Sequence, residues 1–569
     1  MLGFLNRTTS TIHSAALILG AAGFLSRLLG LLRDRMLAGT FGAGPELDAY
    51  YAAFQIPDFV YTILLLGAGS MAILPIFVEA LNRNREEAER FINSLVTFFS
   101  IVTTAIIAVG ILIAPVIVKI LFPGFTAENI ETVIFLTRII FISPLFLGIS
   151  GILTSPLQVF HKFIAYALSS ILYNVGIILG IIAFVPLWGV RGLAFGVIIG
   201  ALLHCAVQLY TYRSLKFSLS FVRDWWNGSV REVLSLSFPR VLALSLRQLM
   251  FVILFGLAST LHPGSISIFQ FAQNLGFLPV GIFAVSYATA FFPRLSQHAV
   301  ERNAKEFFED IFFSIRTVAF WIIPIAFLSA VLRAHIVRVA LGAGAFDWSD
   351  TRLTAAAFAI LIVALIGESF TTLLLRGFYA LKETWLPLWI SLASMIVSVG
   401  GAFGFLELFR SFPLLAEVVY EILRVSDVAG GEVLAVTLGA SVGILLNGAL
   451  FFVFLVMRAK RQFNLGERTF AYRRMVVPLL KIVVASVGAG AVSYYSLAFL
   501  SNFYTLDKFS DVFIEGLLAG IAGIGVYVLI LYSLRSEDLF VFARSLRKQF
   551  FNLGILPEHW NGDKTSLEQ

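Results

Sequence analysis

The sequence predicts an all-α polytopic membrane protein of about 14 transmembrane helices, with two six-helix lobes and two further C-terminal helices. Three observations carry that expectation. The first is composition: 59% of the 569 residues are hydrophobic, 13% are charged, and mean hydropathy is +0.90. Soluble domains carry about 25% charged residues, so nearly all of this chain belongs in a bilayer. The second is a series of apolar stretches of about 20 residues, the length that crosses a hydrocarbon core. The third is an internal repeat of about 220 residues.

The stretches of the first half fall at 13–38, 50–80, 93–121, 131–158, 163–186 and 190–212. Those of the second half fall at 233–261, 265–295, 310–340, 353–381, 384–408 and 432–458, and two more follow at 475–500 and 511–534. The first is the least apolar. The N-terminus shows no cleavage site, so its apolar stretch reads as a true span rather than a signal peptide. Lys and Arg mark alternate turns, from Arg83, Arg85 and Arg90 through Lys162 to the basic run Arg458–Arg474. The turns between, such as Phe122–Glu131 and Ser501–Ser510, are poor in base. The basic set is expected in the cytoplasm, and an even number of spans then puts both termini there.

The repeat rests on short matches. Pro75 and Pro293 are 218 residues apart, Gly148-Ile149-Ser150 and Gly367-Glu368-Ser369 are 219 apart, and Lys162 and Lys382 are 220 apart. Gly196-x-x-x-Gly200 returns as Gly439-x-x-x-Gly443, with the extra residues between spans eleven and twelve. Six spans is an even number, so the two copies share one orientation. They are expected to be related by a pseudo-two-fold axis along the membrane normal, with a site between them near the midplane. The expected division is therefore 1–230 and 231–460 for the lobes, 461–545 for the two extra helices, and 546–569 for a cytoplasmic tail. The insertion at 409–425 has apolar residues at helical spacing (Leu414, Leu415, Val418, Val419, Ile422), which predicts an amphipathic helix on the outer surface. The last two spans are Gly-rich, which permits close packing.

Composition also excludes. The net charge of +7 comes from bases in cytoplasmic turns, so it asks for no nucleic-acid partner. The single cysteine, Cys205, rules out an internal disulfide or a multi-cysteine metal site, and its apolar span makes it a small hydrophobe. The histidines are scattered, no Walker loop is present, and neither a metal nor a cofactor is expected. Asn227-Gly228-Ser229 has the glycosylation pattern but falls on the expected cytoplasmic side.

The chemistry lies in charges at bilayer depth, which cost roughly 2.5–3.5 kcal/mol each on insertion scales. The first span carries Arg27, Arg33, Asp34 and Arg35. Arg27 and Arg33 are nearly two turns apart and share one side of the helix. The seventh span, their repeat partner, carries Arg240 and Arg247 on one face, with Ser245 and Gln248 beside them. Arginine forks suit phosphate, so the expected site is an inner cavity that binds a phosphorylated anion. The alternatives are that the arginines tie internally to Asp34, Asp48, Glu79 and Glu368, or that Arg33–Arg35 snorkel at a helix end.

Ser26-Arg27-x-x-Gly30-x-x-Arg33-Asp34, then Phe41-Gly42-Ala43-Gly44, Asp48-Ala49, Phe54-x-Ile56-Pro57, Gly67-Ala68 and Pro75, is similar to the N-terminal region of the MurJ (MviN) family of lipid II flippases. That family sits in a wider group with the MATE exporters and polysaccharide flippases. The resemblance implies a bacterial inner-membrane protein of peptidoglycan synthesis, acting as a monomer. It implies a polyprenyl-pyrophosphate-linked substrate, lipid II, moved outward by alternating access, with the last two helices forming a groove for the lipid tail. Carried over by position, Arg27 and Arg33 match arginines needed in the family, and Ser26 and Asp48 match motif positions. Two family arginines are missing: Asp58–Thr62 stands where one is usual, and Gln273-Asn274 where Asp-Arg is usual. Arg240 and Arg247 are the candidates to replace them. The eleventh span has no acid, so sodium coupling is not expected. A flippase for another lipid-linked oligosaccharide remains open. A multidrug exporter would call for intramembrane acids, and a membrane glycosyltransferase for a sizeable loop with paired carboxylates; only Leu406–Glu432 is long enough, and its Glu407, Glu417 and Glu421 read as a solvated helix face.

Overall fold

The computed structural model describes residues 12–66, 70–465, 473–504 and 508–552, and every regular element among them is helical. The first expected span is α1 (Ile12–Phe41). The second is α2 (Pro45–Tyr61), a π-helical turn (Thr62–Leu66) and α3 (Ser70–Arg83). The third is α4 (Arg85–Leu121), and the fourth is split into α5 (Ala127–Ile140) and α6 (Ser143–Val159). After these come α7 (Phe163–Ala183), the single turn α8 (Val185–Trp188) and α9 (Arg191–Ser214). The second half holds α10 (Gly228–Ala258), α11 (Ser265–Pro279), a second π-helical turn (Val280–Ala284) and α12 (Val285–Val300). It continues through α13 (Ala304–Val331), α14 (Arg333–Leu341), α15 (Trp348–Ala380), α16 (Trp385–Ser411), α17 (Pro413–Leu423) and α18 (Val433–Gln462). The chain ends on α19 (Arg473–Leu500), α20 (Phe509–Ser533) and α21 (Glu537–Asn552).

Twelve helices among the described residues are long and apolar enough to cross a membrane. The expected count of fourteen rests on the first two spans. α1 is burdened by its four charges, and the second span is interrupted at 67–69, where the Gly67-Ala68 motif lies outside the described residues. α17 occupies the predicted amphipathic insertion, with Leu414, Val418 and Ile422 exposed on one face and Ala416 buried. α21 is a helix that the reading by spans passes over.

Helix starts are set by polar side chains that satisfy the otherwise orphaned first-turn amides. Asn84 accepts from Glu87 N at 2.7 Å to open α4, and Asn303 accepts from Glu306 N at 3.3 Å to open α13. Asn227 does the same for α10 through Val230 N at 3.2 Å, which gives the apparent glycosylation triplet a structural use. Close helix crossings are set by glycine. A Cβ on Gly176 or Gly180 of α7 would overlap the Cα of Gly200 or Gly196 on α9, and one on Gly439 of α18 would overlap Ala402 of α16.

Contact density divides the chain into two compact units. The first comprises Met1–Leu278, Ile336–Ala364 and Glu383–Leu450. Its core gathers Phe77, Phe91, Leu95, Leu153, Tyr212 and Phe217, and the Arg85 guanidinium stands 4.2 Å over the Phe217 ring. At one end of this unit, the turn between α1 and α2 is locked to two other turns. Ala345 N donates to Gly39 O at 2.8 Å, and Ala43 N donates to Asp350 Oδ2 at 3.0 Å. Gly264, with φ +94°, packs its Cα against the Ala43 carbonyl, and only glycine fits there. The second unit comprises Pro279–His335, Leu365–Lys382 and Phe451–Gln569. Its core joins α13, α19, α20 and α21 through Phe320, Ile482, Ala485, Tyr527, Leu531 and Leu539. The Tyr527 hydroxyl, inside that core, donates to Phe320 O at 2.8 Å, as a buried phenol must find a partner.

Candidate functional site

A cavity of about 470 Å³ opens within the first unit between α1 and α2 on one side and α10 and α11 on the other. Arg27, Arg33 and Arg247 all line it, with Asp34 and Asp58 as its acids. An adjoining compartment of about 480 Å³ shares Arg33, Gln55, Asp58, Gln270 and Asn274 and extends toward Ser26, Asn174 and His204. Arg27 is exposed and makes no hydrogen bond or ion pair among the described residues. It lies about 9 Å along α1 from Arg33, at 1.5 Å rise per residue.

Arg33 is held differently. Its Nε and Nη2 donate to Asp34 Oδ1 at 3.0 and 2.8 Å, and its Nη1 donates to Asn174 Oδ1 at 3.1 Å. Asp34 is itself buried and accepts at its other oxygen from Asn274 Nδ2 at 2.9 Å, while Gln270 Nε2 donates to Asn274 Oδ1 at 2.7 Å. Asn174 Nδ2 reaches the Ser26 carbonyl at 3.3 Å and its hydroxyl at 3.4 Å. A chain of neutral amides thus fixes the Arg33–Asp34 pair, and pairs so supported keep their geometry. One edge of the Arg33 fork is occupied, which leaves Arg27 as the open guanidinium. Arg247 stands 4.7 Å from the centre of the Phe277 ring, close enough for a cation–π contact.

The structure brings Ser26, Arg27, Arg33 and Arg247 into these two compartments. The side chain of Arg240 lies outside the described residues. Asp48 is not among the residues lining either compartment. Its carboxylate is buried and accepts from Gly264 N and Ser267 N, each at 2.7 Å, and from Ser267 Oγ at 2.6 Å. It caps α11 from a distance, where the amide dipoles favour a negative charge. Of the internal ties weighed for the arginines, Arg33–Asp34 forms, whereas Glu79 pairs with Arg83 at 2.7 Å. Sequence reasoning missed Asn174 and Gln270; the signal available was an amide in the middle of an apolar helix. No group of three or more His, Cys, Asp or Glu among the described residues could hold a metal ion.

Membrane-crossing helices around a charged cavity at their interior define a membrane transporter. The family model described as Lipid II flippase MurJ matches residues 37–511. The chain is 28% identical over 381 residues to the probable lipid II flippase MurJ of Buchnera aphidicola subsp. Baizongia pistaciae, covering 66% of this chain and 74% of that protein. It is 26% identical over 544 residues to the probable lipid II flippase MurJ of Rhizobium tropici, covering 93% and 96%. Among solved structures, the lipid II flippase MurJ in its inward closed conformation superposes with a TM-score of 0.71 at 24% identity, covering 92% of this chain and all of that one. An inward-facing multidrug MATE transporter superposes with a TM-score of 0.58 at 16% identity, covering 78% and 96%, a likeness of fold alone. The chain belongs to the lipid II flippase MurJ family. It is accordingly a transporter rather than an enzyme, and a multi-pass protein of the bacterial inner membrane.

Proposed function

We propose that this protein carries lipid II, a polyprenyl-diphosphate-linked peptidoglycan precursor, from the cytoplasmic to the outer leaflet by alternating access, acting as a monomer. The observation that carries the reading is the convergence of Arg27, Arg33 and Arg247 on one cavity. Arg27 and Arg247 take the diphosphate, while Arg33, neutralised by Asp34 and held by Asn174, offers only its remaining N–H groups. Arg240 on the same helix as Arg247 joins them, and Ser26 positions Asn174. Asp48 serves the site indirectly, by fixing the start of α11.

The lobes in this reading are residues 1–230 and 231–460. Paired features support the repeat: the π-helical turns begin at Thr62 and Val280, 218 residues apart, and the capping Asn84 and Asn303 are 219 apart. The basic turns lie in the cytoplasm with both termini. The locked turns around Gly39, Gly264 and Ala345 then form the outer closure, which must part for release. The last two membrane spans guide the polyprenyl tail.

The test is depletion of the protein in its host, followed by an assay of which lipid-linked precursor accumulates on the inner face. Lipid II is the expected product, and accumulation of a different polyprenyl-linked sugar would replace this reading with the related flippase. Complementation with Arg27→Ala is expected to fail although the protein inserts and folds. Binding should weaken by about 1.5–3 kcal/mol, the worth of a charged hydrogen bond. Arg27→Lys should restore only part of the transport, because an ammonium cannot form the bidentate fork.

A further inference from the structure

A cavity of about 870 Å³ lies in the second unit and shares no lining residue with the Arg27 cavity. It is formed by the base-rich ends of α12, α13, α19 and α20 and the start of α21. Three of its arginines are spent on acids. Arg294 pairs with Asp310 at 2.8 Å, Arg474 with Glu309 at 3.0 Å, and Arg316 with Asp538 and Glu537 at 2.9 and 3.1 Å. Three further cations lining it, Arg473, Lys481 and Arg535, pair with no acid among the described residues, although Lys481 Nζ lies 3.4 Å from the Arg535 carbonyl. Against them stands Glu306, a carboxylate of the cavity outside those pairs. The paired groups leave one acid in surplus, and even with Glu306 counted the three remaining cations keep the balance positive.

The cavity is also amphipathic. Phe312, Phe313, Val477 and Pro478 line it beside the cations. From it an exposed apolar stripe runs along α19 through Val476, Leu480, Val484 and Val487, spaced to lie on one face. Cations at the mouth and a lipid-facing apolar stripe leading away fit a molecule with a phosphate head and hydrocarbon tails. Basic pockets between membrane helices recognise such headgroups.

We propose that this cavity binds the phosphate-bearing headgroup of a lipid in the leaflet at the base-rich end of the helices, with Arg473, Lys481 and Arg535 as its ligands. The inference does not depend on the transport reading, because the site shares no residue with the Arg27 cavity. The two possible sources of the headgroup are a resident anionic phospholipid and a polyprenyl diphosphate.

The experiment measures lipid retention by the purified full-length protein, using native mass spectrometry with phosphatidylglycerol, phosphatidylcholine and undecaprenyl diphosphate as separate probes. The wild-type protein should retain phosphatidylglycerol, undecaprenyl diphosphate or both above phosphatidylcholine. The triple variant Arg473→Gln/Lys481→Gln/Arg535→Gln should lose that preference by about tenfold or more, taking about fivefold per interfacial cation as the guide. Preference for phosphatidylglycerol identifies a phospholipid site. Preference for the diphosphate lipid identifies a second station for a polyprenyl carrier. The single variant Lys481→Glu, together with the unfolding midpoint of each variant, separates a lost site from a lost fold. Because the Arg27 cavity is itself proposed to take a diphosphate, the diphosphate arm is read in the Arg27→Ala background, where the triple variant should still remove the preference, so failure of the transport reading would leave this result standing. Equal retention of all three lipids, or no difference between a folded variant and wild type, overturns the proposal.

Discussion

Asp34 shows how one carboxylate decides what the neighbouring cations can do. It takes two donors from Arg33 and one from Asn274, so its charge is fully used inside the protein. Asn274 stands where the resemblance led one to expect arginine, and a second guanidinium there would compete with Arg33 for the same carboxylate. Asp58 is the contrasting case: it lines both compartments, and its carboxylate has no hydrogen bond or ion pair among the described residues. Its negative charge opposes anion binding, so Asp58→Asn is expected to tighten binding of a bare polyprenyl diphosphate severalfold, measured by calorimetry on the purified protein. Unchanged or weaker binding would mean that Asp58 does not face the anion. Asp48 makes a different prediction. Asp48→Ala strips the buried amides of Gly264 and Ser267, at the start of α11, of their acceptor and should cost about 1–3 kcal/mol of stability, read as a lowered unfolding midpoint in detergent. Loss of diphosphate binding at an unchanged midpoint would instead make Asp48 a ligand. The arginines of the cavity were legible in the sequence because a charge in an apolar stretch has no cheap explanation. Asn174 and Gln270 were not, because a neutral amide reads alike whether it packs, caps or lines a cavity, and Asn274 was legible only as a missing arginine. Asp48 was legible as a special residue but not in its use, since its partners at Gly264 and Ser267 are more than 200 residues away in the chain.

At the scale of elements, hydropathy located the membrane stretches but not their interruptions. The breaks at Phe141–Ile142 and Leu332, and the π-helical turns at Thr62–Leu66 and Val280–Ala284, fall inside stretches that hydropathy reads as single spans, because an isolated Thr62, Ser143, Pro279 or Arg333 does not end an apolar run. Such π-helical turns often mark functional positions in a helix, and here each directly follows a cavity-lining helix, α2 or α11. The glycine crossings were more visible. Gly196-x-x-x-Gly200 and Gly439-x-x-x-Gly443 both turn out to lie where two helices touch backbone to backbone, in α7–α9 and α16–α18. The closure at Gly39, Gly264 and Gly344 rests on the same property. Gly344 has φ +49°, and a Cβ there would overlap the Gly39 carbonyl. Gly344→Val should therefore weaken the contact between these turns and favour an opening at that end. In a Cys205→Ser background, Ser26→Cys should then react faster with an impermeant external thiol reagent when Gly344→Val is added. An unchanged rate would remove these turns from the closing mechanism.

For the whole molecule, the strongest ordering principle is the unequal placement of base along the chain. Within the first unit, basic junctions meet each other: Arg85 donates to the Leu215 carbonyl, Arg90 approaches Asp224 at 3.7 Å, and Asn227 Nδ2 reaches Ser94 Oγ at 3.0 Å. The base-poor junctions also meet each other, as Gly124 packs against Ser259 and Gly264 against Ala43. Folding has thus sorted the turns by charge, which is what a bilayer with a positive inner side demands. The consequence is a topology that labelling can check. In the same cysteine-free background, Glu86→Cys and Arg461→Cys should be shielded in intact cells from an impermeant maleimide and react only after permeabilisation. Glu128→Cys and Asn502→Cys should react from outside. All four sites are at turns or exposed helix ends, so failure to label cannot be blamed on burial in the core. External reaction at Glu86 and Arg461 would invert the protein, put the locked turns of Gly39 and Gly264 on the cytoplasmic side, and turn the proposed outer closure into an inner one. Because transport from the cytoplasmic leaflet requires a cavity that opens inward first, that outcome would also reverse the order of steps in the proposed cycle.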